Sequence, residues 1–236
     1  MLLYLDVETT GLEARDRICS LGLITVDENG AVETFNALVK PPLKVSTEAM
    51  AVHHLTNEML KEAPCIEKSE IWDVLQKHNS VDDVLVAHNV NFELEMLAKE
   101  GLLWRGGLLD TMKCSKHLIG EIDRFSLQYL RYELGLYRSE QEEAEKVGVT
   151  LMAHNALSDA FHTKMLHAYL TEMADDERLM ELSVTPVLIK KLNFGKYKGH
   201  FLEEVAMQDA GYLQWLSKQE IDEDLTHSIN VYLKGL

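Results

Sequence analysis

Positive charge is what this chain most lacks. Its 236 residues carry 23 Lys and Arg against 39 Asp and Glu, a net charge of -16. That balance excludes holding nucleic acid by bulk positive charge and leaves room only for a local basic groove. Cysteine is scarce as well. Cys19, Cys65 and Cys114 stand far apart, so neither a disulfide framework nor a CxxC metal knuckle fits, and each is expected to be a small core residue. Long uncharged runs are missing too: the longest, Val147 to Ser158, spans 12 residues, short of a membrane-crossing helix. Met1 to Tyr4 is apolar, but Asp6 and Glu8 follow at once, where a signal peptide needs a basic start and a longer apolar run. A cytoplasmic protein is expected. What the chain does have is 46% apolar residues, enough for one sizeable core and a small annex.

Leu2 to Glu8, Ile18 to Asp27 and Ala31 to Lys40 read as three strands, with Glu28-Asn29-Gly30 as the tight turn of an opening antiparallel meander. After Pro41-Pro42, Ser46 or Thr47 is expected to cap a helix carrying Met50 and His53-His54, and Asn57 a second short one. A helix over Ile66 to His78, a buried strand over Val84 to Ala87, a helix over Phe92 to Lys99 and a short strand at Leu108-Leu109 follow. Helical pattern then dominates: Thr111 to Ile119, Ser126 onward with Leu127, Leu130 and Leu134 in register, and Asn155 to Leu170. Strands first, then alternating helix and strand, predict an α/β fold with a mixed five-stranded sheet flanked by helices. The expected division is a main domain over 1–175, a charged helical connector over 176–185 and a small C-terminal unit over 186–236. Trp215, Leu213 and Leu216 are expected in the core of that unit. Acid is concentrated in the first part: residues up to Thr185 hold 17 basic and 32 acidic side chains, and later ones 6 and 7.

Three short segments carry chemistry. In Asp6-Val7-Glu8, the period-2 alternation of a strand points both carboxylates one way, and Leu5 and Val7 the other. Two such acids repel unless a cation lies between them, and hard oxygen ligands favour Mg2+ or Mn2+ over zinc. D-x-E alone is weak evidence in a chain with 39 acids, since a polar edge strand also carries it. In Ala87-His88-Asn89-Val90-Asn91-Phe92-Glu93, a short strand breaks into a helix with an acid in its first turn, where the helix dipole favours it. His88 and Asn89 are equally able to satisfy loop backbone. In His154-Asn155-Ala156-Leu157-Ser158-Asp159, five residues turn a continuous helix by roughly 140 degrees and would separate His154 from Asp159. With Asn155 as N-cap, His154 instead sits on the preceding loop, free to act as a base over a site that Asp159 faces.

Taken together, Asp6-Val7-Glu8-Thr9-Thr10-Gly11-Leu12, His88-Asn89-x-x-Phe92-Glu93 and His154-x4-Asp159-Ala160 resemble, in order and spacing, the DEDDh 3'-to-5' exonucleases, the family of the proofreading epsilon subunit of bacterial DNA polymerase III. Ala49-Met50-Ala51-Val52-His53 is similar to the helix before that family's second motif. The tail, Asn193-Phe194-Gly195-Lys196-Tyr197-Lys198-Gly199 and then Asp209 to Leu216, resembles the C-terminal extension of the family's exonuclease X-like members. The resemblance implies a ribonuclease H-like fold, two divalent ions (Mg2+ or Mn2+) and release of nucleoside monophosphates from a 3' end, in repair or proofreading. It implies that Asp6, Glu8 and Asp159 hold one metal, that Asp6 bridges to the second, and that His154 helps generate the attacking hydroxide. It further implies that Thr9, Gly11, Leu12, His53 and Phe92 line the pocket for the terminal nucleotide. One position departs: the family has Asp where this chain has Glu93. The extra methylene moves a carboxylate by roughly 1.5 Å, a displacement able to cost about 100-fold in rate, or else lets it reach the second metal directly. Glu93 is expected to serve as the fourth acid.

Leu188 to Phe201 is the one concentrated basic segment, with Lys190, Lys191, Lys196 and Lys198 interleaved with Phe194 and Tyr197. Lys196 and Lys198 are expected to touch a phosphate backbone and an aromatic to stack on a base, although a Gly-bounded turn with solvated lysines has the same composition. The expected partner is DNA with a 3' end, alongside a polymerase or repair protein and no membrane. An exoribonuclease with the same motifs, or a non-catalytic nucleic-acid-binding module, are the alternatives, because the motifs set the chemistry and not the sugar.

Overall fold

A computed structural model describes residues 1–119, 122 and 124–235. Leu236, the end of the expected C-terminal unit, lies outside them. The chain forms two compact units, Met1–Ser183 and Val184–Leu236.

The first unit is built on a five-stranded sheet of order β3-β2-β1-β4-β5. β1 (Leu2–Thr9), β2 (Ile18–Val26) and β3 (Val32–Leu38) form the antiparallel meander, and β4 (Val84–Ala87) and β5 (Gly107–Asp110) add in parallel on the other side of β1. The predicted mixed sheet is therefore present, with β1 at its centre. After the meander comes α1 (Thr47–His53), capped by the Ser46 hydroxyl. Alternation along β1 sorts its side chains between two cores. Leu3, Leu5 and Val7 face α2 (Glu70–Lys77) and α3 (Val90–Lys99) through Ile71, Trp72, Leu75, Met96 and Leu97. Tyr4 faces the other layer, made by α4 (Thr111–Leu118), α5 (Leu127–Glu133), α6 (Glu140–Lys146), α7 (Ala156–Thr171) and α8 (Asp176–Val184). Asp6 and Glu8, in phase with Tyr4, emerge on the α7 side. Burying two apolar faces of one sheet is what orders this unit, since each buried Leu contributes roughly 1.5–3 kcal/mol.

Several expectations need correction. The helix expected over Ile66 to His78 is broken at Ser69: a 3-10 turn, Ile66–Lys68, precedes it, and the Ser69 hydroxyl donates to the Ile66 carbonyl while accepting from Trp72 N–H. Asn57 caps no helix. Its side chain instead pairs with both backbone groups of Val45, at 2.9 and 3.3 Å, and residues 57–62 are turns. The segment read as a connector is α8, and it belongs to the first unit because Leu179 and Leu182 pack into the α7 layer. Cys19 and Cys114 are buried as expected, but Cys65 is exposed.

In the second unit, α9 (Leu202–Leu216) and α10 (Glu223–Lys234) pack through Val205, Leu213, Leu216, Leu225 and Ile229. Leu213 and Leu216 are core residues as expected. Trp215 is not: it is 55% exposed, because it follows two residues after Leu213 on the helix and so turns away from the face that Leu213 and Leu216 share.

Candidate active site

The site is assembled where β1 and β4 end. A bulge in the β1–β2 pairing between Glu8 and Thr9 interrupts the ladder at the point where β1 stops. Opposite Asp6 on β2 stands Gly22, and a Cβ there would lie 2.1 Å from the Leu157 backbone nitrogen. The missing side chain lets the first turn of α7 lie directly on the sheet. That turn is fixed by Asn155, whose side chain accepts from Ser158 N–H at 3.3 Å, as the sequence predicts for an N-cap. Asp159, in the same turn, then meets β1, and Asp6, Glu8 and Asp159 each offer an oxygen within 4.8 Å of the others.

Glu93, in the first turn of α3, lies outside that 4.8 Å trio, but its charge still acts on Asp6. The helix start is held by Asp110, a buried residue that sequence reasoning did not single out. Its carboxylate accepts from Asn89 and Val90 N–H at 3.1 Å and from Met112 and Lys113 N–H at 2.9 and 3.1 Å, so one side chain caps α3 and α4 together. An Asp directly before a helix is a legible cap for α4; its second role, 20 residues back along the chain, has no local signal. His88 takes the modest role: Nε2 bonds the Phe125 carbonyl at 2.7 Å, and Nδ1 meets the Thr111 hydroxyl at 3.0 Å.

Electrostatically the cluster is unbalanced as it stands. Burial, and then the charges of Asp159, Glu93 and Glu8, push the Asp6 carboxyl well above its ordinary range. Burial and Asp159 push Glu8 up to about 8, and burial chiefly pushes Glu93 up to about 8. Glu93 is 3% exposed, and its Oε2 has no hydrogen-bond partner among the described residues. A buried, unpaired carboxylate oxygen is costly unless a proton or a cation completes it. The donor set, oxygens only, fits a hard divalent cation.

His154 lies on the loop before α7 with a left-handed backbone, φ 51°. The loop is tied down by Met152 N–H donating to the Ser158 hydroxyl at 2.9 Å. Its imidazole is exposed and meets the ring of His54 edge-on at 5.9 Å. Its ring thus stands against the His53–His54 turn and, among the described residues, makes no hydrogen bond to the acids. Beside Glu8 opens a pocket of about 740 Å³ whose lining includes Thr9, Gly11, Leu12, His53 and Phe92, together with Lys44. Leu12 is 86% exposed there. The Thr9 hydroxyl donates to the Gly11 carbonyl at 2.8 Å, and both nitrogens of buried His53 are engaged, Nε2 with the Thr9 carbonyl and Nδ1 with Leu55 N–H. His53 therefore shapes the pocket wall through Thr9 and presents no free polar atom.

This constellation can be compared with known proteins. The model of the Exonuclease family matches residues 3–166, which include all four acids and His154. The chain belongs to the exonuclease family. A second model, of the exodeoxyribonuclease X-like C-terminal region, matches residues 192–220 of this exonuclease. Exodeoxyribonuclease 10 of Escherichia coli K12 is 29% identical over 239 residues, covering 100% of both chains. The DNA polymerase III epsilon subunit of Treponema pallidum is 30% identical over 168 residues, covering 64% of this chain and 76% of its own. A structure of exonuclease X in complex with 5'-overhanging duplex DNA matches with a TM-score of 0.58 at 26% identity, covering 78% of this chain and 99% of that one. The family depends on divalent metal. No described helix is long and apolar enough to cross a membrane.

In the second unit, Lys196 and Lys198 are both exposed, but their settings differ. Lys196 is 3.0 Å from Asp209 and lies over the Tyr197 ring, whose hydroxyl donates to the same carboxylate. The segment without acids thus receives one from α9. Lys191 lies over the Phe201 ring at 4.8 Å.

Proposed function

We propose that the chain is a metal-dependent 3'-to-5' exodeoxyribonuclease of the cytoplasm that releases nucleoside monophosphates from DNA 3' ends in repair or proofreading. The observation that carries it is the convergence of Asp6, Glu8 and Asp159, with Glu8 also lining a pocket of about 740 Å³ and a buried, unpaired Glu93 acting electrostatically on Asp6. Two ions of the Mg2+ or Mn2+ type, held by Asp6, Glu8, Asp159 and Glu93, would supply Lewis acidity at the scissile phosphate and offset the four negative charges. His154, untethered on its loop, takes the proton from the attacking water, a role worth roughly 10²–10⁴-fold. Thr9, Gly11, Leu12 and Phe92 seat the terminal nucleotide by backbone and apolar contact, which fixes an end without reading bases. Names of relatives support DNA as substrate: one is an exodeoxyribonuclease, and another was solved with duplex DNA. The epsilon relative makes a replicative polymerase the natural partner class. Lys198, and Lys196 when released from Asp209, offer a second backbone contact.

The test is digestion of matched 5'-labelled single-stranded DNA and RNA with Mg2+ or Mn2+, with EDTA and His154→Ala as controls. A ladder shortening from the 3' end of DNA, lost with EDTA and weakened in the variant, is expected. A faster ladder on RNA would reassign the substrate, and no cleavage of either by folded protein would overturn the reading.

A further inference from the structure

Behind Asp159 lies a hydrogen-bonded chain of polar side chains, Gln128, Arg131 and Glu140, that the proposed chemistry does not use. Gln128 Nε2, on α5, donates to Asp159 Oδ1 at 2.6 Å, and the Gln128 side-chain carbonyl accepts from Arg131 Nη1 at 2.9 Å. Arg131 turns its other nitrogens onto both oxygens of Glu140 at the start of α6. Glu140 Oε2 is 3.4 Å from His162 Nε2, and Nδ1 of that buried ring is 3.6 Å from Asp159 Oδ1. Asp159 and His162 are one turn apart on α7, so the groups span three helices, although neither buried His162 nitrogen makes a hydrogen bond among the described residues.

The order of groups gives the chain of hydrogen bonds its sense. A guanidinium only donates and a carboxylate only accepts, so a glutamine between them has one amide orientation, oxygen to Arg131 and nitrogen to Asp159. Arg131 spends its charge on Glu140 in a bidentate pair. Placed directly on Asp159, the same arginine would compete with a divalent cation for the carboxylate. The interposed amide passes on the orientation without the charge. Gln128 and Asp159 are 31 residues apart in sequence, and no motif links them.

We propose that Gln128 is a positioning residue for metal binding: locked by the Arg131–Glu140 pair, it pins one oxygen of Asp159 and leaves the other for the cation. This rests on the reading of Asp159 as a metal ligand. The partners of a ligating group typically matter by about 10–100-fold in metal affinity. The experiment is Mn2+ titration of the full-length chain followed by electron paramagnetic resonance, together with the metal-free Tm, for Gln128→Ala, Gln128→Met and Asp159→Asn. Gln128→Ala should weaken Mn2+ binding by about 10-fold or more while the metal-free Tm barely moves, which a merely structural role would not produce. Should the alanine variant lose metal-free stability, Gln128→Met, of similar volume and without the hydrogen bonds, carries the same expectation. Unchanged Mn2+ affinity in the Gln128 variants, with Asp159→Asn impaired, would sink the positioning role and leave the metal site standing. Unchanged affinity in Asp159→Asn would remove the underlying reading and the proposal with it.

Discussion

At the scale of single residues, the buried acids are a stability cost that a bound cation would relieve. Glu93 has a folded pKa of about 8, above the ordinary value of 4.5. The folded state therefore keeps a proton that the unfolded chain has lost, and stability present below pH 4.5 is lost as pH rises through 8. Glu93→Gln removes that dependence. In metal-free protein its Tm should match wild type near pH 5 and exceed it increasingly toward pH 8, by about 2–4 °C per kcal/mol recovered. Mg2+ should then raise the wild-type Tm more than the variant's. Thermal scans across pH with and without Mg2+ check this, and a gap that does not widen with pH would show that Glu93 is not buried as a charge. The meeting of Asp6, Glu8 and Asp159 was legible in the sequence because strand alternation and the Asn155 cap are local rules, whereas Glu93 and His154 were singled out through the family resemblance. Gln128 and Asp110 were not legible, because each acts on residues 20 or more positions away.

Among elements, the decisive contact is between β2 and the first turn of α7. Gly22→Ala would put a methyl 2.1 Å from the Leu157 nitrogen and 2.2 Å from the Ala156 carbonyl carbon, and backbone cannot give way as a side-chain tip does. The helix must shift, at about 1–3 kcal/mol or more. Because Asp159 rides on that turn, a displacement near 1 Å should also lower the rate by about 100-fold. Denaturant unfolding and exonuclease assays read both effects; an alanine variant as stable and active as wild type would refute the packing argument. Element types were largely predictable from periodicity and caps. Two of the errors share a cause: Asn57 bracing Val45 and α8 joining the first core follow from side chains preferring a tertiary partner, whereas Ser69 breaks its helix locally, bonding the Ile66 carbonyl and capping α2 at Trp72 N–H.

For the whole molecule, charge is unevenly spread. The first unit carries 17 basic and 32 acidic side chains, the second 6 and 7. A polyanion is repelled by most of the first unit, so cations that can meet its backbone gain weight, and Lys198 in the second unit is one such group. Lys198→Ala should weaken binding of long single-stranded DNA, shallow the slope of log affinity against log salt by about 0.7–1, and leave the saturated cleavage rate on a short oligonucleotide unchanged. An unaltered slope would confine nucleic-acid binding to the first unit. The central claim, that four carboxylates form one metal centre, is tested most directly by diffraction from crystals of the chain soaked in Mn2+. The account predicts anomalous density among Asp6, Glu8 and Asp159, with Glu93 turned to ligate. Density elsewhere, or none with Glu93 still buried and unpaired at saturating Mn2+, would contradict it.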